Sequence, residues 1–163
     1  MNVWDFFTTF LTVEGTVTWM RQNGLLRKTP PPCPTCGGAM TEVKTGRGGD
    51  GVIWRCPKHK TQKQSIRDGS FFSHGNLPLR TYALLLYCWS CELQVGVAKD
   101  FCGVSERHTI QWYQYFRDAC SWFLTENPRP IGGPGHVVQL LQDDKPAAFT
   151  VIVRTIAQWF PCP

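Results

Sequence analysis

Residues 33–59 read CPTCGGAMTEVKTGRGGDGVIWRCPKH, and the pairs at its two ends decide how the chain folds. Cys33 and Cys36 are separated by two residues, and so are Cys56 and His59, with nineteen residues between the pairs. Each pair forms a tight turn on which two side chains converge. Three thiols and an imidazole are a donor set that a structural Zn2+ ion takes in tetrahedral geometry. Such a site has no open coordination position, so its metal organises the fold and performs no catalysis. Gly37-Gly38 suits the close approach of backbone amides to thiolate sulfur. His74 is also within reach in sequence; His59 is preferred because it completes the second pair.

Between the pairs lie short β-type pieces, Met40–Thr45 and Val52–Arg55, joined by a glycine-rich turn in which Asp50-Gly51 is a hairpin signal. The reading is a zinc ribbon of β-hairpins over residues 31–76, closed by Phe71 and Phe72 after a turn at Asp68-Gly69. Upstream, residues 1–30 form a helical arm. Thr12 is placed to cap a helix that carries Val13, Val17, Met20 and Leu25, and Gly24 with the prolines at 30–32 ends it.

Downstream, residues 77–130 show helical spacing and are expected to form three helices. The first carries Leu79, Tyr82, Ala83, Leu86 and Tyr87 on one stripe. The second covers Gln94 to Cys102 and stops at Gly103. The third is capped by Ser105 and turns Ile110, Tyr113, Phe116, Cys120 and Leu124 inward. A helix, a Gly-Val-Ser turn and a second helix are the parts of a helix-turn-helix, whose last helix presents groove-reading side chains from its first turns. Arg107 and Gln111 are the candidates for base edges, and Ser105, His108 and Arg117 for phosphate or cap contacts. The tail, residues 131–163, is expected to be irregular or short-stranded. The fold class is thus small α+β.

Charge points the same way. Between Arg27 and Arg80 ten Lys/Arg face three acids, a net of +7 within a chain whose total is +5. A basic block beside a nearly neutral remainder suits a polyanion, since each neutralised phosphate releases condensed counterions. Lys58, Lys60, Lys63 and Arg67 are the candidate phosphate contacts, and double-stranded DNA is the expected partner. A solvated cationic face would look similar on charge alone.

The N-terminus has no basic residue before Arg21 and no small-residue cleavage site, so it does not read as a signal peptide. The apolar run from Thr81 to Cys91 is too short for a membrane span. The expectation is a soluble intracellular protein, nuclear in a eukaryotic host, with reduced thiols. Cys88-Trp-Ser-Cys91 has metal or redox spacing but falls in an apolar helix, so core cysteines are expected there, as at Cys102, Cys120 and Cys162.

With CPTCGG at 33–38, WRC at 54–56, SIRDGSFF at 65–72, LPL at 77–79, GVS at 103–105, WYQYFR at 112–117 and IGGPGHVV at 131–138, the chain resembles the N-terminal half of Merlin-type DNA transposases and their bacterial insertion-sequence relatives. The resemblance covers about residues 10–138. It implies a zinc ribbon and helix-turn-helix that bind transposon terminal inverted repeats. In that family the VV step enters a strand of the form VEIDE, whose aspartate is the first metal ligand of a DDE catalytic core. Here Gln139 replaces the glutamate and Leu141 stands at the aspartate position. Asp143 and Asp144 lie two or more positions further on, a shift of about 7 Å along a strand. Two-metal phosphoryl transfer needs converging acids that the nineteen residues after Asp144 do not supply. A non-enzymatic DNA-binding remnant of a transposase is therefore expected. The alternatives are a DDE fragment using Asp143 or Asp144, and a protein-docking or dimerisation module built on Trp4, Trp19, Trp112, Trp122 and Trp159, pairing with itself or with a full-length transposase relative.

Overall fold

The structure, a computed structural model, describes residues 3–46 and 49–126 together with Val153 and Ile156. Among these residues it is a small α+β fold of five helices and one three-stranded antiparallel sheet.

Two helices precede the sheet. Helix α1 spans Val3–Phe10 and α2 spans Val13–Gln22. Thr12 caps α2 as its sequence suggests, its hydroxyl accepting the Gly15 N–H at 3.0 Å. Spacing alone does not single out α1, yet Phe6 and Phe10 lie one turn apart and are both buried. The Phe6 ring packs on Tyr87 and the Phe10 ring against Trp19, at centroid distances of 4.5 and 5.0 Å.

The sheet has the order β1-β2-β3, with β1 at Thr41–Lys44, β2 at Val52–Arg55 and β3 at Lys63–Ser65. In β2, Val52 and Trp54 face inward and Ile53 and Arg55 are half-buried, the alternation of a strand with one covered face. Gly51 completes the β1–β2 turn at φ +69°, a backbone that favours glycine. Helix α2 lies against the sheet, where Arg21 pairs with Glu42 at 2.7 Å and sits over the Trp54 ring.

Three further helices follow: α3 (Leu79–Ser90), α4 (Val95–Cys102) and α5 (Glu106–Glu126). The expected stripe on α3 is buried except at Tyr87, which is half-buried, and Leu85, Cys88 and Ser90 are buried as well, because α3 is covered by α2, α4 and α5. Gly103 ends α4 in the left-handed region at φ +65°, and the Val104 N–H returns to the Lys99 carbonyl at 3.0 Å. Ser105 opens α5, its Oγ accepting the His108 N–H at 3.3 Å. On α5 the inward face is Thr109, Trp112, Tyr113, Phe116 and Ala119. Two residues expected to point inward do not: Ile110 is 50% exposed and Leu124 is 67% exposed. Trp112 takes the inward phase in place of Ile110. Thr109 can be buried beside it because its hydroxyl bonds the Ser105 carbonyl.

One continuous buried cluster joins these elements. At its centre the Phe72, Tyr82 and Trp112 rings stack, with Tyr82 and Trp112 only 4.1 Å apart, so the segment leaving the sheet is packed between α3 and α5. The strands expected in the tail fall outside the described residues, apart from Val153 and Ile156, which are helical and buried in this cluster. No helix among the described residues is long and apolar enough to cross a membrane.

Candidate functional site

The four residues singled out at the ends of the 33–59 stretch come together. One donor atom each from Cys33, Cys36, Cys56 and His59 lies within 4.8 Å of every other, and this cluster could hold a metal ion. Both turns are closed by backbone bonds. The Gly37 N–H donates to the Cys33 carbonyl and the Cys33 N–H to the Gly38 carbonyl, each at 2.8 Å, with Gly37 at φ +67°. In the second turn the His59 N–H donates to Cys56 Sγ at 3.2 Å, and Cys56 N–H to the Gln62 carbonyl at 3.1 Å.

The donor spacing is that of a small tetrahedron. Cys36 Sγ and Cys56 Sγ are 3.7 Å apart, and Cys56 Sγ and His59 Nδ1 are 3.8 Å apart. Metal–sulfur bonds of about 2.3 Å at tetrahedral angles give an edge of roughly 3.8 Å. A disulfide would need about 2.0 Å, and the cysteines among the described residues are all free. Burial pushes the Cys33 thiol up. The amides of Thr35 and Cys36, with the thiols of Cys56 and Cys36, outweigh it and bring Cys33 down to about 6. For Cys36 the Gly38 amide pulls down, but burial, the hydrogen bonds to Cys56 and Cys33 and the charge on Cys33 prevail and raise it. Crowded thiols that resist ionising together are what a dication relieves.

The cationic residues fall into two groups. Lys58, Lys60 and Lys63 are exposed around the second metal turn and the start of β3, and none forms an ion pair among the described residues. Arg67 corrects the expectation that it contacts phosphate. It is 7% exposed, and its guanidinium makes a two-pronged ion pair with Asp50, donates to the Gly75 carbonyl at 2.7 Å and lies over the Tyr82 ring. Nothing local in the sequence signals this, because the partner lies seventeen positions away. Sequence reasoning also misses one basic residue: Arg55 stands directly opposite Lys63 in the β2–β3 ladder. Like charges facing across a ladder repel, so this end of the sheet is suited to an anion.

On α5, Arg107, Gln111 and Arg117 are exposed and His108 is half-buried. Gln111 donates to Tyr115 Oη at 2.8 Å, Arg117 to Gln114 Oε1 at 2.8 Å, and His108 Nδ1 lies 2.7 Å from Ser105 Oγ. His74, the other candidate ligand, is not in the metal cluster.

Of the other described thiols, Cys88 belongs to the core, Cys102 and Cys120 pack half-buried against it, and Cys91 is half-buried outside it. Cys88 is fully buried and its Sγ lies 3.8 Å from that of Cys102. The hydrogen bond with Cys102 and burial together push Cys88 up. Gln139, Leu141, Asp143, Asp144, Trp159 and Cys162 lie outside the described residues.

No protein-family model, curated protein or solved structure matches the chain. The likeness to Merlin-type transposases therefore rests on the sequence motifs alone.

Proposed function

We propose that this chain is a zinc-stabilised DNA-binding module of transposase ancestry that binds a duplex without cutting it. The observation that carries the reading is the convergence of Cys33, Cys36, Cys56 and His59, because it sets the cationic end of the sheet around the metal turns. In this reading the ion is Zn2+ and the sheet is a zinc ribbon. Its Lys58, Lys60 and Lys63, with Arg55, meet phosphates. Helix α5 acts as the recognition helix of a helix-turn-helix formed with α4, and three residues, 103–105, make the turn. Arg107 and Gln111 are the base-reading side chains, and the exposed face near Ser105, His108 and Arg117 adds backbone contacts.

Binding isotherms test the division of labour. Lys60→Ala or Lys63→Ala should weaken binding about equally on all duplexes and reduce the salt slope by roughly one for each phosphate no longer neutralised. Arg107→Ala or Gln111→Ala should instead cost about 1–3 kcal/mol on the preferred sequence and little on others. Equal losses on every sequence from all four variants would remove α5 as the reader.

A protein-docking role has one observation in its favour. Trp4 and Phe7, one turn apart on α1, and Leu11 just after it are 78%, 40% and 67% exposed. By contrast Trp112 is buried, so it contributes to the core and not to such a surface. If α1 mediates self-association, light scattering without DNA should report a dimer that Trp4→Ser converts to monomer.

A further inference from the structure

A cleft of about 430 Å3 opens between the 71–76 segment and the first turns of α5. It is within the roughly 300–1,000 Å3 of small-ligand sites. Phe71, Trp112, Tyr115 and the Tyr82 ring give it aromatic walls, and His74, Asn76, His108 and Gln111 supply polar edges. Among the described residues, no carboxylate lines it.

The cleft is preformed. A Cβ on Gly75 would collide with Tyr82 Oη, so only glycine lets this segment close over the ring. The Leu77 N–H donates to Tyr82 Oη at 2.8 Å, and the Arg67 guanidinium holds the Gly75 carbonyl. Across the cleft, Tyr115 packs edge-on against Trp112 and its hydroxyl is held by Gln111. His108, Gln111, Trp112 and Tyr115 share one stripe of α5. The cleft is thus continuous with the side chains that the DNA-binding reading turns towards a duplex.

Aromatic walls stack on any planar ring, and amide and imidazole edges offer both donors and acceptors to a heterocycle. We propose that this cleft seats one unpaired nucleobase of a bound DNA strand, a step that rests on the DNA-binding reading above. Tyr115 supplies the stacking surface, and His74 and Asn76 close the far side.

Fluorescence anisotropy with three labelled duplexes of one sequence tests it: fully paired, carrying a single-nucleotide bulge, and carrying an abasic bulge at the same place. The protein should bind the bulged duplex about tenfold more tightly than the paired one, equivalent to about 1.4 kcal/mol. The abasic bulge should lose that gain. Tyr115→Leu should bring the bulged-to-paired ratio to within about twofold, whereas Tyr115→Phe should keep it, because stacking needs the ring and not the hydroxyl. Tyr115 is 41% exposed, so both variants keep the fold. Equal affinity for all three duplexes overturns the inference while leaving duplex binding intact. A gain that the abasic bulge retains also overturns it, since flexibility alone would then be read. Failure to bind any duplex removes the DNA-binding reading itself and this inference with it.

Discussion

Cys36→Ser is expected to abolish metal retention and destabilise the protein by more than about 4 kcal/mol, the range reached when a structural metal is lost. The reasoning turns on where Cys36 sits. Its side chain is exposed, whereas Cys33 and Cys56 are 2% and 1% exposed. If the cluster were only thiols packed in a core, an exposed member would tolerate serine to within about 0.5 kcal/mol. As a metal ligand, Cys36 should be as sensitive as the buried Cys56. The strands are themselves short: β1 and β2 are four residues each and β3 is three, so a staple at one end matters to the sheet. Metal content by mass spectrometry should give one zinc per chain in the parent protein, and urea unfolding should report the loss in Cys36→Ser. Cys120→Ser, half-buried and outside the cluster, should keep its metal and lose about 1 kcal/mol or less. A Cys36→Ser protein that unfolds at the parental urea concentration would end the metal-centre reading. A strong chelator should reproduce the effect of the substitution, because the ion's binding energy is then part of the folding energy.

The parts of this fold that are legible in the sequence are those fixed by local chemistry. Two donor pairs with two-residue spacing, a glycine after the first pair and a glycine before Ser105 each specify a turn whose geometry is set within a few residues. Gly37 and Gly103 both take the left-handed backbone. What escapes depends on distant partners. Helix α1 does not stand out because an eight-residue helix gains little on its own; it is held by packing of Phe6 on Tyr87, eighty-one positions away. The inward face of α5 is misread at Ile110 because several apolar residues crowd that helix, and the stack of Phe72, Tyr82 and Trp112 decides which phase is buried. The cleft beside α5 has no sequence signal, since its two sides come from segments more than thirty residues apart. Charge counting cannot distinguish a cation in solvent from one in a buried pair, which is why Arg67 reads like Lys58, Lys60 and Lys63.

That pair supports the second large effect. Asp50→Asn should destabilise the protein by about 3–5 kcal/mol, because it leaves the Arg67 guanidinium buried without its counter-charge. For a chain of this size the corresponding fall in melting temperature is roughly 6–20 °C. The side chains of Arg67 and Asp50 are only 9% and 15% exposed, so water cannot replace the missing partner. Asp50 belongs to the β1–β2 turn, and its Oδ1 also accepts the Leu79 N–H at 3.3 Å at the start of α3, where Pro78 provides no side-chain cap. A carboxylate at a helix N-terminus is favoured by the helix dipole as well as by the hydrogen bond. Arg67 in turn bonds the Gly75 carbonyl, so one ion pair ties the sheet, the 71–76 segment and α3 together. Asparagine keeps the shape and one acceptor but presents an amide N–H2 to a guanidinium that has only donors. A double-mutant cycle separates charge pairing from packing. Asp50→Leu combined with Arg67→Met should lose less than the sum of the two single substitutions, since removing both charges leaves neither buried without its counter-charge. If Asp50→Asn unfolds within about 1 kcal/mol of the parent, the pair is not the joint between sheet and helices, and the stack around Phe72 must hold them unaided.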